Sequence, residues 1–229
     1  MVLVLSVSKE VYADTSSNWT YASVGGQSYH FRSEVSTRNN RAEGVANVIH
    51  NGGNVPTGYM GAQARLYNSN GVLKSAGQTI YNTIPSVNLY AYTSSVGLSG
   101  FYYAQCTVYL YNGNGYNSYS TNKSPNAGIN SHIVHEECAI INGKIYASGL
   151  CEEELDEEID YILAEGIYGK VGYVFADELS VIPEGPLDAV ECSNQAFESR
   201  MINVYDLDGN VIDYFKVNGM DKNKLDSLY

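Results

Sequence analysis

The chain has 229 residues, is 44% hydrophobic and carries a net charge of −12. That size allows one large or two small domains with buried cores, and the lack of a basic stripe excludes nucleic acid as a partner of the whole chain. Twenty-one tyrosines and 22 glycines favour strands joined by tight turns over helices.

Residues 2–7 form a short apolar run, followed by KEVYA at 9–13 and polar DTSS at 14–17. Ala13, with Val11 two residues before it, fits a secretory cleavage site, although no basic residue precedes the run. Residues 1–13 are therefore expected to be a signal-peptide remnant, with the mature chain starting at Asp14 and secreted or extracytoplasmic. The alternative for this run is a buried first strand. No other run approaches about 18 apolar residues, so no membrane span is expected in the mature chain.

From Gln27 the pattern alternates: Tyr29, Phe31, Ser33, Val35 and Thr37 share one face. RNNR at 38–41 predicts a turn, 45–49 a strand, 59–67 another, and NSNG at 68–71 a hairpin loop. Residues 101–111 give the clearest strand, followed by an NGNG turn and a return over 116–121. Tyr102, Ala104, Cys106, Val108 and Leu110 are expected to build core. Tyr103, Tyr109 and Tyr111 are expected on the open face, with Tyr116 and Tyr119 beside them. Such spacing predicts a sandwich or barrel.

The pattern changes after SPNAGIN at 124–130. Residues 14–130 carry six Lys/Arg against three Asp/Glu, whereas residues 131–229 carry six against 21. This shift sets the expected boundaries: a tyrosine-rich β-sandwich module over 14–123, a linker over 124–135 and an acidic module over 136–229. In that last part, 144–148 and 170–175 predict strands. The acidic stretch 152–163 spaces Leu155, Ile159, Ile162 and Leu163 as a helix. Residues 186–197 predict a helix with Pro186 in its first turn. Residues 201–205 and 211–217 predict a hairpin around Asp208-Gly209. The expected fold class is mainly β, an N-terminal β-sandwich or barrel, plus a small α+β C-terminal module.

Two sets of segments carry a resemblance. Residues 58–67 (GYMGAQARLY), 102–105 (YYAQ), 111–116 (YNGNGY) and 123–126 (KSPN) are similar to a tyrosine-rich secreted β-module of uncharacterised exported proteins of Gram-positive bacteria. Residues 146–149 (YASG), 160–169 (DYILAEGIYG), 172–174 (GYV) and 204–209 (VYDLDG) resemble a small C-terminal module of exported or membrane-attached proteins of such bacteria. Ile159 stands where that pattern usually has proline. The resemblance implies export and architecture, and it transfers no catalytic residue.

Candidate chemistry is sparse. His132, His135 and Cys138 have metal-like spacing, but an extended segment would splay them. The DLDGN sequence at 206–210 fails the register of a calcium loop and reads first as a hairpin. Seven carboxylates within residues 152–160 read as a solvated helix face. No nucleophile elbow, phosphate loop or zinc-protease helix occurs, and a dyad of Cys106 with His30 or His50 would need a thiol from the buried face. No cofactor, metal site or catalytic residue is therefore assigned. Four cysteines allow three pairings; Cys138 and Cys151 flank a predicted turn and are the favoured disulfide, with Cys106 and Cys192 as buried thiols. The reading that follows is a non-enzymatic binding protein at the cell surface, whose tyrosines Tyr103, Tyr109, Tyr111, Tyr116 and Tyr119 meet a cell-wall glycan or a surface protein. Its alternatives are a secreted antagonist of bacteriocin type and a hydrolase with an unrecognised site.

Overall fold

The computed structural model describes residues 14–128, 138–141, 143–149 and 159–221. Strand makes up 53% of the described residues and helix 7%, so the fold is mainly β. In chain order the first strands are β1 (Thr15–Ser16), β2 (Thr20–Val24), β3 (Gln27–Arg38), β4 (Arg41–His50), β5 (Met60–Gln63), β6 (Arg65–Asn68) and β7 (Leu73–Gly77). Next come β8 (Ile80–Tyr81), β9 (Asn88–Tyr92), β10 (Val96–Gly97), β11 (Phe101–Ala104), β12 (Thr107–Tyr111), β13 (Tyr116–Ser120) and β14 (Ala127–Gly128). The C-terminal part holds β15 (Cys138–Ile141), β16 (Lys144–Ala147), β17 (Tyr161–Glu165), β18 (Val171–Phe175), α1 (Ala176–Leu179), α2 (Pro186–Gln195), β19 (Arg200–Tyr205) and β20 (Val211–Asn218). No helix among the described residues is long and apolar enough to cross a membrane.

The alternation read from Gln27 onward is what β3 shows. Tyr29, Phe31, Ser33 and Val35 are buried, and His30, Arg32, Glu34 and Ser36 face the other way. Asn39 and Asn40, at φ 52° and 58°, make the two-residue turn into β4, because asparagine tolerates the left-handed region that such a hairpin needs. Around this hairpin β1 and β2 pair with β3, while β9 and β10 pair with β4. This front sheet packs on a ribbon built from β5–β6 and β11–β12. Tyr29, Phe31, Val48 and Leu89 from the front sheet meet Met60, Leu66, Tyr102, Cys106, Val108 and Leu110 from the ribbon in one core.

The ribbon changes sheet halfway along. β5 pairs with β12 from Met60–Leu110 to Gln63–Thr107. β6 pairs with β11 from Leu66–Ala104 to Asn68–Tyr102. Ala64 and the Gln105-Cys106 step fall between strands, so the continuous strands expected over 59–67 and 101–111 are each two strands. Beyond this corner β7 pairs with β6 along one edge. Its other edge takes β20 at Ala76 and Gly77 and β17 at Leu73. The ring β7–β20–β19–β18–β17 closes as a five-stranded barrel. Four of its strands come from the acidic third of the chain, and the fifth comes from the tyrosine-rich part.

The barrel core contains Leu73, Ala76, Ile162, Val174, Val204 and Phe215, together with Tyr67 and Tyr103 from the ribbon. The rings of Tyr67 and Tyr103 are stacked at 5.3 Å. A Cβ at Gly149 would lie 2.5 Å from both of them, so only glycine fits there. Around the corner, α2 covers the same ribbon face with Ala189 against Tyr81 and Tyr109. Its Ser193 Oγ accepts the Tyr81 backbone N–H at 2.6 Å. The helix begins at Pro186 as read from the sequence, and the hairpin around Asp208-Gly209 also forms. The helix expected up to Leu163 does not reach that far. Residues 161–165 form β17, with Ile162 and Ala164 turned into the barrel, because pairing with β18 outweighs a weak helical spacing. The rest of that acidic stretch, apart from Ile159 and Asp160, lies outside the described residues.

Three aspartates brace the barrel. Asp213 is 2% exposed. Burial alone would raise its pKa, but the backbone N–H groups of Tyr214, Lys170 and Tyr168 hold the carboxyl below its ordinary value. Asp160 is lowered by the Ile145 N–H and the Lys144 ammonium, and Asp206 by Asn210. A depressed folded-state pKa adds stability that is complete above the unfolded value near 4 and is lost as pH falls through the folded value. Urea midpoints should therefore fall steeply on acidification below about pH 4, and Asp213→Asn should flatten that slope; an unchanged slope would remove Asp213 from this role. Leu73→Ala should cost about 2–5 kcal/mol, with the whole chain still unfolding in one transition. Residues 136–229 expressed alone should lack a dispersed amide spectrum, since β7 is missing; a dispersed spectrum would show the barrel closing without it.

Candidate ligand-binding face

The five tyrosines singled out in the sequence do not form one platform. Tyr103 is 0% exposed in the barrel core, with the Lys123 ammonium 3.9 Å above its ring. Tyr109 is 2% exposed beneath α2. Tyr116 is half-buried against Tyr81, donates its hydroxyl to Gly58 O at 2.5 Å, and has its pKa pushed up by that burial. Tyr111 packs on Tyr59 and Tyr116. Tyr119 packs on Phe31 at 5.8 Å. The face expected to meet solvent is covered by the barrel on one side of the corner and by α2 on the other.

The remaining sequence candidates also separate. Cys106 is 1% exposed in the core between the front sheet and the ribbon, with Sγ 3.5 Å from Val45 O. His30 is on the opposite face of β3, and His50 Nδ1 lies 2.7 Å from Gly53 O. Asp206 accepts the backbone N–H groups of Asp208 and Asn210, closing its own hairpin turn. His132, His135 and Cys151 lie outside the described residues, and so does the Cys138–Cys151 pairing. Among the described residues no three His, Cys, Asp or Glu side chains converge on one point.

The front sheet is different, because no other described strand or helix covers its outer face, although Tyr90 and Tyr92 also pack against the first buried cluster. Register brings a row of side chains across it. Tyr21 is opposite His30, Arg32 opposite Asn47, and Asn47 opposite Tyr90; Val45 is opposite Tyr92. Four strands at 4.7–4.9 Å spacing make the face about 14 Å across. At one edge the Trp19 ring meets His30 edge-on at 4.5 Å and carries the Arg32 guanidinium 4.4 Å from its centroid. Tyr21 beside it is 71% exposed. At the other edge stand Tyr90 and Tyr92, two residues apart on β9 and half-buried.

The centre of the face is polar. Arg32 Nε donates to Glu34 Oε1 at 2.9 Å, and Asn47 Nδ2 donates to the same oxygen at 3.2 Å. Asn47 is 4% exposed, and its Oδ1 has no partner among the described residues. Two adjoining grooves of 340 and 520 Å3 run beside Tyr90 and Tyr92 and share Ser36, Arg38, Glu43 and Tyr92. Asp14, Glu34, Glu43 and Asp221 stand there against Arg32, Arg38 and Arg41, so the face carries one carboxylate in excess.

A second aromatic row runs over the outside of the barrel. Tyr146 and Tyr161 stack at 4.4 Å and 3°, Tyr161 meets Phe175 at 4.6 Å, and Phe175 meets Tyr205 at 5.2 Å. These rings spend their faces on one another, which stabilises neighbouring strands. They leave little face for a ligand. The front sheet keeps Tyr21 open, and its signal was in the sequence as the polar half of the Tyr29–Val35 alternation. Comparison of the chain with protein-family models, with curated proteins and with solved structures finds no match.

Proposed function

We propose that this protein is an exported binding protein that holds a neutral glycan of the cell envelope on the outer face of its front sheet. The observation that carries the reading is a sheet face that no other described element covers, with aromatic rings at both edges and a hydrogen-bonding centre between them. Sugar rings offer C–H faces that pack on aromatic rings, and hydroxyls that both donate and accept. The width of the face and its shallow grooves suit an extended chain rather than a small enclosed ligand. Its small excess of carboxylates, on a chain of net charge −12, favours a neutral polymer over a polyanion. Glu34 is committed to Arg32 and Asn47, which favours a positioning role in binding over that of a glycosidic acid or base. Export rests on the leader-like residues 1–13 and on the resemblance of the tyrosine-rich segments.

Purified protein should be retained on cell wall or on an insoluble neutral polysaccharide. Tyr21→Ser, which alters an exposed ring, should weaken retention, and Tyr21→Ser with Tyr90→Ser should weaken it about tenfold or more, equivalent to ~1.4 kcal/mol. Tyr111→Ser on the ribbon hairpin should bind as wild type. Circular dichroism checks that each variant is folded. Equal retention of the double variant, or no retention of the wild type on any neutral glycan, would overturn the proposal.

A further inference from the structure

A third groove of 660 Å3 lies where Gln78 and Thr79, between β7 and β8, meet the end of α2 and the turn into β19. It shares no residue with the grooves of the front sheet. Thr79 is 4% exposed, and its Oγ1 has no partner among the described residues. A buried hydroxyl left unpaired is costly, so this one marks a place where a partner belongs. Arg200 lines the same groove. Its Nε donates to Gln78 Oε1 at 3.2 Å and its Nη2 to Leu179 O at 2.8 Å, both neutral acceptors. It forms no ion pair within 4 Å among the described residues, and the Glu178 carboxylate acts on it from farther off. A guanidinium carries five N–H donors, so three are left over from these two bonds.

The groove also has a negative part. Glu198 lines it and is exposed, and the last residues of α2 line it as well. A helix C-terminus presents carbonyl oxygens and the negative end of the dipole. Val181, Phe197 and the Cys192 thiol supply apolar contact. A simple anion would meet Glu198 and the helix end, and a simple cation would meet Arg200. A molecule with both charges finds a complement for each. Being neutral overall, it is also not repelled by an acidic chain.

We infer that this groove binds a small zwitterion, a free amino acid or the end of a short peptide. Its carboxylate lies on Arg200 and the Thr79 hydroxyl, its ammonium lies by Glu198 and the α2 carbonyls, and its side chain rests against Val181 and Phe197. The site is independent of the glycan-binding face and takes a different class of ligand.

Cys192 reports on occupancy because its thiol lines the groove. The rate of maleimide labelling at Cys192, followed by peptide mass spectrometry on the whole protein, is compared across amino acids, dipeptides, simple carboxylates and simple amines at one ionic strength. At least one amino acid or dipeptide should slow labelling fivefold or more at saturation, while carboxylates and amines leave it unchanged. Thr79→Val keeps the shape and removes the hydroxyl, and should raise the half-protecting concentration about tenfold. Glu198→Gln changes an exposed residue and should also raise it. Arg200→Lys is less informative alone, since Arg200 also ties Gln78 to Leu179. The inference fails if no zwitterion slows labelling, if a carboxylate alone protects equally well, or if Thr79→Val and Glu198→Gln both behave as wild type.

Discussion

The structure depends on one ribbon being buried on both faces. β5–β6 and β11–β12 present Met60, Leu66, Ala104, Val108 and Leu110 to the front sheet. Their alternate residues Tyr67, Tyr103 and Tyr109 go to the barrel and to α2. A strand side chain alternates strictly between faces, so every second residue of the ribbon belongs to a different core. β7 extends this sharing, because it is at once the neighbour of β6 and the strand that closes the barrel. Loss of packing at Leu73 is therefore felt on both sides. The tyrosines suit this position because their large rings fill the space between the cores, and on the neighbouring β13 the Tyr116 hydroxyl donates to Gly58 O.

The corner where the ribbon changes sheet is held by buried polar groups. Gln63, fully buried, donates through Nε2 to Gly77 O at 3.1 Å and to Leu179 O, and accepts at Oε1 from Arg65 and Ser180 at 2.9 and 2.8 Å. Arg200 joins the same Leu179 carbonyl and passes on to Gln78, which donates to Glu198 O. Such a network is costly if partly satisfied and specific if complete. Here it ties strands from the first half of the chain to α1, β19 and the turn after α2. The third groove opens beside this junction, so the groups that lock the two halves together also shape it.

Double coverage decides where binding can occur. The ribbon is covered on both sides, and the barrel's exterior row of rings is occupied by mutual stacking. The outer face of the front sheet, which no other described element covers, has mixed character, with Trp19 and Tyr21 at one edge, Tyr90 and Tyr92 at the other, and Arg32, Glu34 and Asn47 between. Its charge is close to balance although the chain as a whole is strongly acidic, because most of the carboxylates come from the last third of the sequence.

The sequence by itself determined local geometry. Alternation from Gln27 placed Tyr29, Phe31 and Val35 inward; Asn39-Asn40 and Asp208-Gly209 marked turns; Pro186 marked the start of α2; and Cys106, Val108 and Leu110 were legible as core. Period two names two faces of a strand, but it does not say what lies over each. Tyr103 and Tyr109 were thus indistinguishable from residues of a wet face until the barrel and α2 were placed on them. The same limit hid the binding face, since His30, Arg32 and Glu34 read only as the polar side of β3. Residues 161–165 satisfied helical and strand spacing alike, and only pairing with β18 settled them. The closing of a C-terminal barrel by β7 left no local trace, because strand partnership joins residues far apart in the chain and is decided by tertiary packing.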